Sequence, residues 1–254
     1  MNGAALVVPC YNEAARLDGA PLIALCEARP DLRLVLVNDG STDGTLQLLQ
    51  AIAARRPSQV EVLSLPANAG KAEAVRQGLL ATLAGSSDLV GFFDADLSTP
   101  VTEMVRLLVI MEERKVAVVT GARVRLLGTD IRRLAVRHYL GRVFATAVSI
   151  LLDLSVYDTQ CGAKVFRRSP ALLAALETPF LSRWAFDVEL LGRLLIGTPA
   201  AAPVPVADLL EVPLGRWHDV PGSKLSPAAM IGTLKDLAMI HADLARRRRA
   251  VQQG

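Results

Sequence analysis

Short apolar runs recur along the first half of the chain at Ala4 to Pro9, Leu32 to Asn38, Val60 to Leu65, Leu89 to Phe93 and Val116 to Gly121, each closed by turn or capping residues. Runs of this length, bounded in this way, predict buried strands. Helical periodicity fills the stretches between them. After the turn Asp39-Gly40-Ser41-Thr42-Asp43-Gly44, for example, Leu46, Leu49 and Ala53 return on one helical face, and the Ser, Thr and Asp can cap that helix. Strand and helix alternate through residue 122. That alternation predicts an α/β fold, a parallel sheet covered by helices on both faces, with ligands gathered at the carboxyl ends of the strands.

Beyond residue 122 the pattern changes. A basic stretch leads into a long helical segment ending near Leu154, then a loop with Asp158-Thr159-Gln160-Cys161-Gly162 and a strand at Ala163 to Phe166. An amphipathic helix is expected from Arg183 to Leu195, a Pro- and Ala-rich connection from Gly197 to Val206, and a strand near Leu209 to Val212. Met230, Leu234, Leu237, Ile240 and Leu244 put an apolar stripe on a last helix that starts near Pro227 and ends in Arg246 to Arg249. Such a stripe suits a core or a membrane surface. The chain therefore divides into an α/β domain over residues 1–226 and an amphipathic helix with a basic tail over 227–254.

Composition narrows the class. The chain has 254 residues, 52% of them hydrophobic and 4% aromatic, which fits helices on a buried parallel sheet better than an all-β design. Cys10, Cys26 and Cys161 are odd in number and widely spaced, so neither a disulfide framework nor a zinc site is indicated, and a reducing compartment fits. The first apolar run lacks a basic leader and stops at Pro9, as a strand does and a signal peptide does not. Phe144 to Leu154 is the nearest approach to a membrane span, but it is short and contains Asp153. The expected location is the cytoplasm, at the membrane face.

The net charge of +3 is unevenly distributed. Arg123, Arg125, Arg132, Arg133, Arg137 and Arg142 crowd one stretch in which Asp130 is the sole acid, a local excess that attracts phosphate or an anionic membrane. Without interleaved aromatics or a known nucleic-acid-binding signature, the stretch does not indicate nucleic acid.

Three polar clusters fall at predicted strand ends. Pro9-Cys10-Tyr11-Asn12-Glu13 combines a fixed turn, an aromatic face and hydrogen-bonding side chains. Asp39 can accept the N–H of a base or a ribose hydroxyl, although a capped turn explains the same hexapeptide. Asp94 and Asp96, two apart on extended backbone, point the same way and can share one cation. Mg²⁺ or Mn²⁺ takes oxygen ligands, commonly one or two carboxylates plus substrate phosphates. An isolated Asp-x-Asp is better read as a capping residue beside a solvated one; its place after the fourth strand, in a chain with the other two clusters, reverses that preference and favours the cation.

Together these clusters resemble the inverting glycosyltransferases of family 2, whose GT-A fold implies a Rossmann-like α/β domain with a mixed, mainly parallel sheet flanked by helices. Asp158 to Phe166, Arg183-Trp184-Ala185-Phe186-Asp187-Val188-Glu189 and Trp217 to Lys224 bring the likeness closer to polyprenyl-phosphate glycosyltransferases, especially the dolichyl-phosphate β-glucosyltransferases. Asn68 to Arg76 matches too, with Ala72 in place of a usual glycine.

The resemblance implies that Pro9, Tyr11, Asn12, Glu13, Asp39 and Lys71 bind the donor, and that Asp94, Ala95 and Asp96 contact its sugar, diphosphate and Mg²⁺ or Mn²⁺. It implies further that Arg123, Arg133, Arg137 and Lys164 bind phosphates. The related dolichyl-phosphate mannose synthases carry a metal-binding Gln where this chain has Ser98, which leaves Ser98 or His218 as a candidate further ligand. Asp158 would be a base for a hydroxyl acceptor. A phosphate acceptor, with its second ionisation at about pH 6, needs none, and Asp158 would then orient a substrate.

The expected reaction is transfer of glucose from UDP-glucose to a polyprenyl phosphate, with inversion, by a peripheral membrane enzyme. The alternatives are a soluble hydroxyl acceptor, which would need Asp158 as base, or a non-catalytic nucleotide-sugar-binding regulator. Oligomeric state is not legible in the sequence.

Overall fold

A computed structural model describes residues 3–132, 135–218 and 227–253. Strands β1 (Ala4–Cys10), β2 (Leu32–Asn38), β3 (Val60–Ser64) and β4 (Leu89–Phe93) alternate with helices α1 (Ala20–Ala28), α2 (Thr45–Arg55) and α3 (Lys71–Ala84). Helix α4 (Val101–Arg114), β5 (Val118–Ala122), the short β6 (Asp130–Arg132) and α5 (Ala135–Leu152) follow. The chain then runs through β7 (Ala163–Arg167), α6 (Pro170–Leu176), α7 (Phe186–Ile196), β8 (Leu209–Pro213), β9 (Arg216–His218) and α8 (Pro227–Gln253).

The main sheet has the order β3-β2-β1-β4-β7-β5-β8, and β6 pairs with β9 in a second, two-stranded sheet. Six strands of the large sheet run one way, and β7 lies antiparallel between β4 and β5. The mixed, mainly parallel α/β architecture read from the sequence is therefore the one observed.

The alternation of side chains along β1 divides the core. Leu6, Val8 and Cys10 pack with Leu22, Leu49, Met104 and Leu108 from α1, α2 and α4, whereas Val7 packs with Val35, Val37, Val75 and Leu79 on the α3 side. Both faces of the strands are apolar because both are covered by helices.

Two boundaries differ from expectation for identifiable reasons. The helix expected from Arg183 starts at Phe186, because the Ser182 hydroxyl accepts the N–H of Trp184 (3.1 Å) and of Ala185 (2.7 Å) and holds residues 183–185 as a turn. Helix α8 continues through residue 253, so Arg246 to Arg249 are helical, and Arg246 and Arg247 pair with Asp243 of the preceding turn at 3.0 and 2.7 Å. Its stripe faces a core. Leu237, Ile240 and Leu244 are buried with Leu190, Leu191 and Leu194 of α7, while Met230 and Leu234 fall on side chains outside the described residues. No helix among the described residues is long and apolar enough to cross a membrane.

Candidate active site

A cavity of about 580 Å³ opens at the carboxyl ends of β1, β2 and β4, three neighbouring strands. Its size is that of a site for a ligand of nucleotide-sugar dimensions. Pro9, Tyr11 and Glu13 reach it from β1, Asp39 from β2, and Asp94, Ala95 and Asp96 from β4, with Lys71 from the start of α3. Residues far apart in sequence thus meet where an open α/β sheet offers its ligand crevice.

Asp39 is 2% exposed and holds the β3–α3 loop in place. Its carboxylate accepts hydrogen bonds from Asn68 Nδ2 (3.1 Å), Ala69 N (2.8 Å) and Gly70 N (2.9 Å). The loop it anchors delivers Asn68, Gly70 and Lys71 to the cavity wall. Gly70 has φ +94°, and an added Cβ there would press on the Arg183 side chain at 3.2 Å, so this bend requires glycine.

Asp94 lies between two other motifs. Lys71 Nζ is 2.5 Å from its Oδ1, and a Cβ on Gly162 would be 2.0 Å from its Oδ2. The glycine that ends Asp158-Thr159-Gln160-Cys161-Gly162 is therefore small because the Asp94 carboxylate occupies the space beside it. Burial works against the Lys71 charge, but Asp94, Asp187 and Asp96 outweigh it and raise the ammonium above its ordinary pKa. Lys71 stays protonated at neutral pH. Asp96 accepts the Ser98 N–H (3.0 Å), which closes the turn after β4.

Other expected site residues are placed elsewhere. Asn12 has φ 53° and does not line the cavity; its N–H donates to Ser41 Oγ (3.1 Å) and its Oδ1 accepts from Thr42 N (2.9 Å), tying the β1 loop to the β2 loop. Lys164, on the inner strand β7, is fully buried, with Nζ 2.6 Å from both Asp187 Oδ1 and the Cys161 carbonyl. In place of the expected phosphate contact, the structure gives it the part of a buried counter-ion. Ser98 is buried and does not line the cavity. His218 Nε2 is 2.6 Å from Asp130 Oδ2, and its backbone N–H donates to the Ser98 carbonyl (3.1 Å). Arg133 and the side chain of Arg137 lie outside the described residues.

Asp158 and Arg123 are partners. Arg123 Nε and Nη2 donate to the two carboxylate oxygens at 2.6 and 2.7 Å, and the Arg123 backbone N–H adds a third bond at 3.1 Å. Burial opposes the charge on Arg123, yet Asp158 more than compensates and raises its pKa. Glu211 on β8 accepts the N–H of Tyr157 (2.8 Å) and Asp158 (2.6 Å), fixing the loop that carries the pair. Both members line a second, much smaller cavity with Arg142, Tyr157 and Thr159.

The thiols beside these sites are poor nucleophiles. Burial, helped by Glu13, pushes Cys10 up to about 12, and burial pushes Cys161 up to about 12 as well, with Asp158 adding to it.

The donor set around Asp94 and Asp96 suits a hard divalent cation, which binds through carboxylates and substrate phosphates together. Among the described residues no three His, Cys, Asp or Glu side chains form a ready cage. Further ligands would come from the donor itself.

The Glycosyl transferase family 2 model matches residues 5–172. This chain belongs to that family. The transferase is 31% identical to a dolichyl-phosphate beta-glucosyltransferase of Dictyostelium discoideum over 92% of this chain and 72% of the relative. It is 32% identical to the enzyme of that name from Saccharomyces cerevisiae, over 92% of this chain and 73% of the relative. Among solved structures it is similar to glucosyl-3-phosphoglycerate synthase of Mycobacterium tuberculosis in complex with Mn²⁺, UDP-glucose and phosphoglyceric acid. The TM-score there is 0.66 at 22% identity, over 97% of this chain and 80% of that one. The likeness fixes the fold as GT-A-like.

Arg183 and Trp184 also line the cavity, although the local sequence pattern gives them no role there. Their signal was the quoted motif from Arg183 to Glu189, but a helical pattern placed them on a helix face; only the Ser182 turn turns them toward the cavity. Asp187, which holds Lys164 and acts on Lys71, went unassigned for the same reason.

Proposed function

We propose that this transferase moves a glucosyl residue from UDP-glucose to a polyprenyl or dolichyl phosphate at a membrane surface, inverting the anomeric carbon. The observation that carries this reading is the meeting of Asp94, Asp96 and Lys71 in one cavity with Tyr11, Asp39 and Trp184, in a chain whose curated relatives are named for glucosyl transfer to dolichyl phosphate.

In this reading Pro9, Tyr11 and Asp39 receive the base and ribose, and Arg183 and Trp184 add to the donor's contacts beside the Asn68–Gly70 loop. Asp94 and Asp96 would hold Mg²⁺ or Mn²⁺, which would neutralise charge on the leaving diphosphate. The protonated Lys71 adds a second positive charge at the same place. An oxygen of the acceptor phosphate, already ionised at neutral pH, attacks the anomeric carbon from the face opposite the diphosphate. The bond to the diphosphate oxygen breaks, and its electron pair leaves with UDP. No base is required, so Asp158 serves by fixing the Arg123 guanidinium through Nε and Nη2, with Nη1 as the donor for a phosphate. With both neighbouring thiols protonated, a single displacement needs no enzyme nucleophile.

A thermal-shift panel tests the donor assignment. UDP-glucose with Mn²⁺, at a hundred times its Kd, is expected to add about 2.7 kcal/mol of stability, with GDP-sugars giving less. That corresponds to a rise of roughly 5–10 °C at this chain length. Stabilisation by GDP-sugars alone would contradict the base assignment, and no response to any nucleotide sugar would contradict the donor site.

A further inference from the structure

Two basic segments stand out in the sequence as partners for a lipid surface, and the fold separates them. The C-terminal one buries its stripe of Leu237, Ile240 and Leu244 against α7. The segment after β5 does the opposite. Its turn exposes Leu126 at 49% and Leu127 at 105% of full accessibility, and the position of a Cβ on the adjacent Gly128 has nothing within 4 Å.

The turn is built rather than loose. Thr129 Oγ1 accepts the Leu126 N–H (3.0 Å) and donates to the Leu126 carbonyl (2.8 Å), the Thr129 N–H donates to the same carbonyl (3.2 Å), and Gly128 takes φ +84°. Two large apolar side chains are thus presented to solvent by an ordered turn, Leu127 fully and Leu126 by about half.

Their surroundings define what would cover them. Arg125 is exposed, and the Arg132 side chain is 73% exposed beyond its contact with Asp130. Val143 and Ile150, seven residues apart and so on one side of α5, are also exposed. The base of the turn and the first half of α5 are neighbours, since Arg123, Gly141, Arg142 and Ala145 line the same small cavity. Exposed leucines flanked by arginines, with the one acid Asp130 already engaged by Arg132 and His218, complement an anionic lipid surface.

We propose that residues 124–129 form a membrane-insertion finger: Leu126 and Leu127 enter the acyl boundary of an anionic phospholipid surface while Arg125 and Arg132 lie among its headgroups. The finger gives the lipid-acceptor reading a point of attachment, and so rests on it for its purpose.

Flotation with phosphatidylcholine vesicles, with and without phosphatidylglycerol and lacking any polyprenyl phosphate, tests it independently of the acceptor. The full chain is expected to float with the anionic vesicles, less so as salt is raised. Leu126→Ser with Leu127→Ser should weaken binding about tenfold per leucine, and Arg125→Gln by a smaller, salt-sensitive factor of about five. Neither change touches the core, so circular dichroism melts should match the parent chain. Equal flotation of the double variant and the parent would overturn the proposal. So would a parent chain that ignores both vesicle types, or that self-associates through these leucines without binding lipid.

Discussion

Asp96→Ala should lower kcat by about a thousandfold or more while the protein still melts close to the parent temperature. The size follows from removing half of the carboxylate pair that would hold the divalent cation, whose neutralisation of the departing diphosphate would be worth several kcal/mol in the transition state. The structural loss is small by comparison. Asp96 accepts one turn hydrogen bond from Ser98 N, and a bond of that kind contributes about 1 kcal/mol. Steady-state kinetics across a range of Mn²⁺ concentrations, with a melt on the same sample, separates the two. A folded variant with parental turnover would remove Asp96 from the reaction. Asp94→Asn should be as severe, because it also leaves Lys71 without its nearest carboxylate.

Gly162→Ala should be nearly as damaging, from a residue with no functional group. The added Cβ would fall 2.0 Å from Asp94 Oδ2 and 2.4 Å from its Cγ, so either the carboxylate or the loop must move. Displacement of about 1 Å at a reacting centre costs on the order of a hundredfold in rate, and overpacking of this kind costs about 1–3 kcal/mol of stability. Gly162 is outside the left-handed region, so the loss comes from contact with Asp94 and not from backbone strain. The check is kcat together with the melting temperature. Activity within a few-fold of the parent would mean that Asp94 does its work from another position.

Much of this was legible in the chain. The strand ends that carry Pro9, Asp39 and Asp94 could be placed because short apolar runs with sharp boundaries leave little freedom in where a parallel sheet puts its carboxyl edge. What local pattern could not supply was pairing between distant elements. Lys164 looks like any lysine at the end of a polar loop; its burial on β7 depends on Asp187, which arrives more than twenty residues later on α7. Arg123 reads as one of six phosphate-seeking arginines, and only the folded chain brings Asp158 and Glu211 to hold it. Trp184 was hidden by its own periodicity, since the Ser182 hydroxyl, and not any apolar pattern, decides where α7 begins. In the same way β6 and β9 are too short to announce themselves and exist by pairing with each other.

Asn12 shows a different limit. Its position beside Tyr11 and Glu13 suggested donor contact, yet its positive φ and its bonds to Ser41 and Thr42 make it a clamp between two loops. The residues on either side, Tyr11 and Glu13, reach the cavity.

The most direct measurement follows radiolabel from UDP-[¹⁴C]glucose offered simultaneously to a polyprenyl phosphate and to soluble hydroxyl acceptors such as sugar acids, with Mn²⁺ or with chelator. Label is expected in the organic extract as a glucosyl phospholipid, dependent on the divalent cation and absent with Asp96→Ala. Label that stays in a water-soluble glucoside, or that reaches lipid equally well in chelator, would contradict the account.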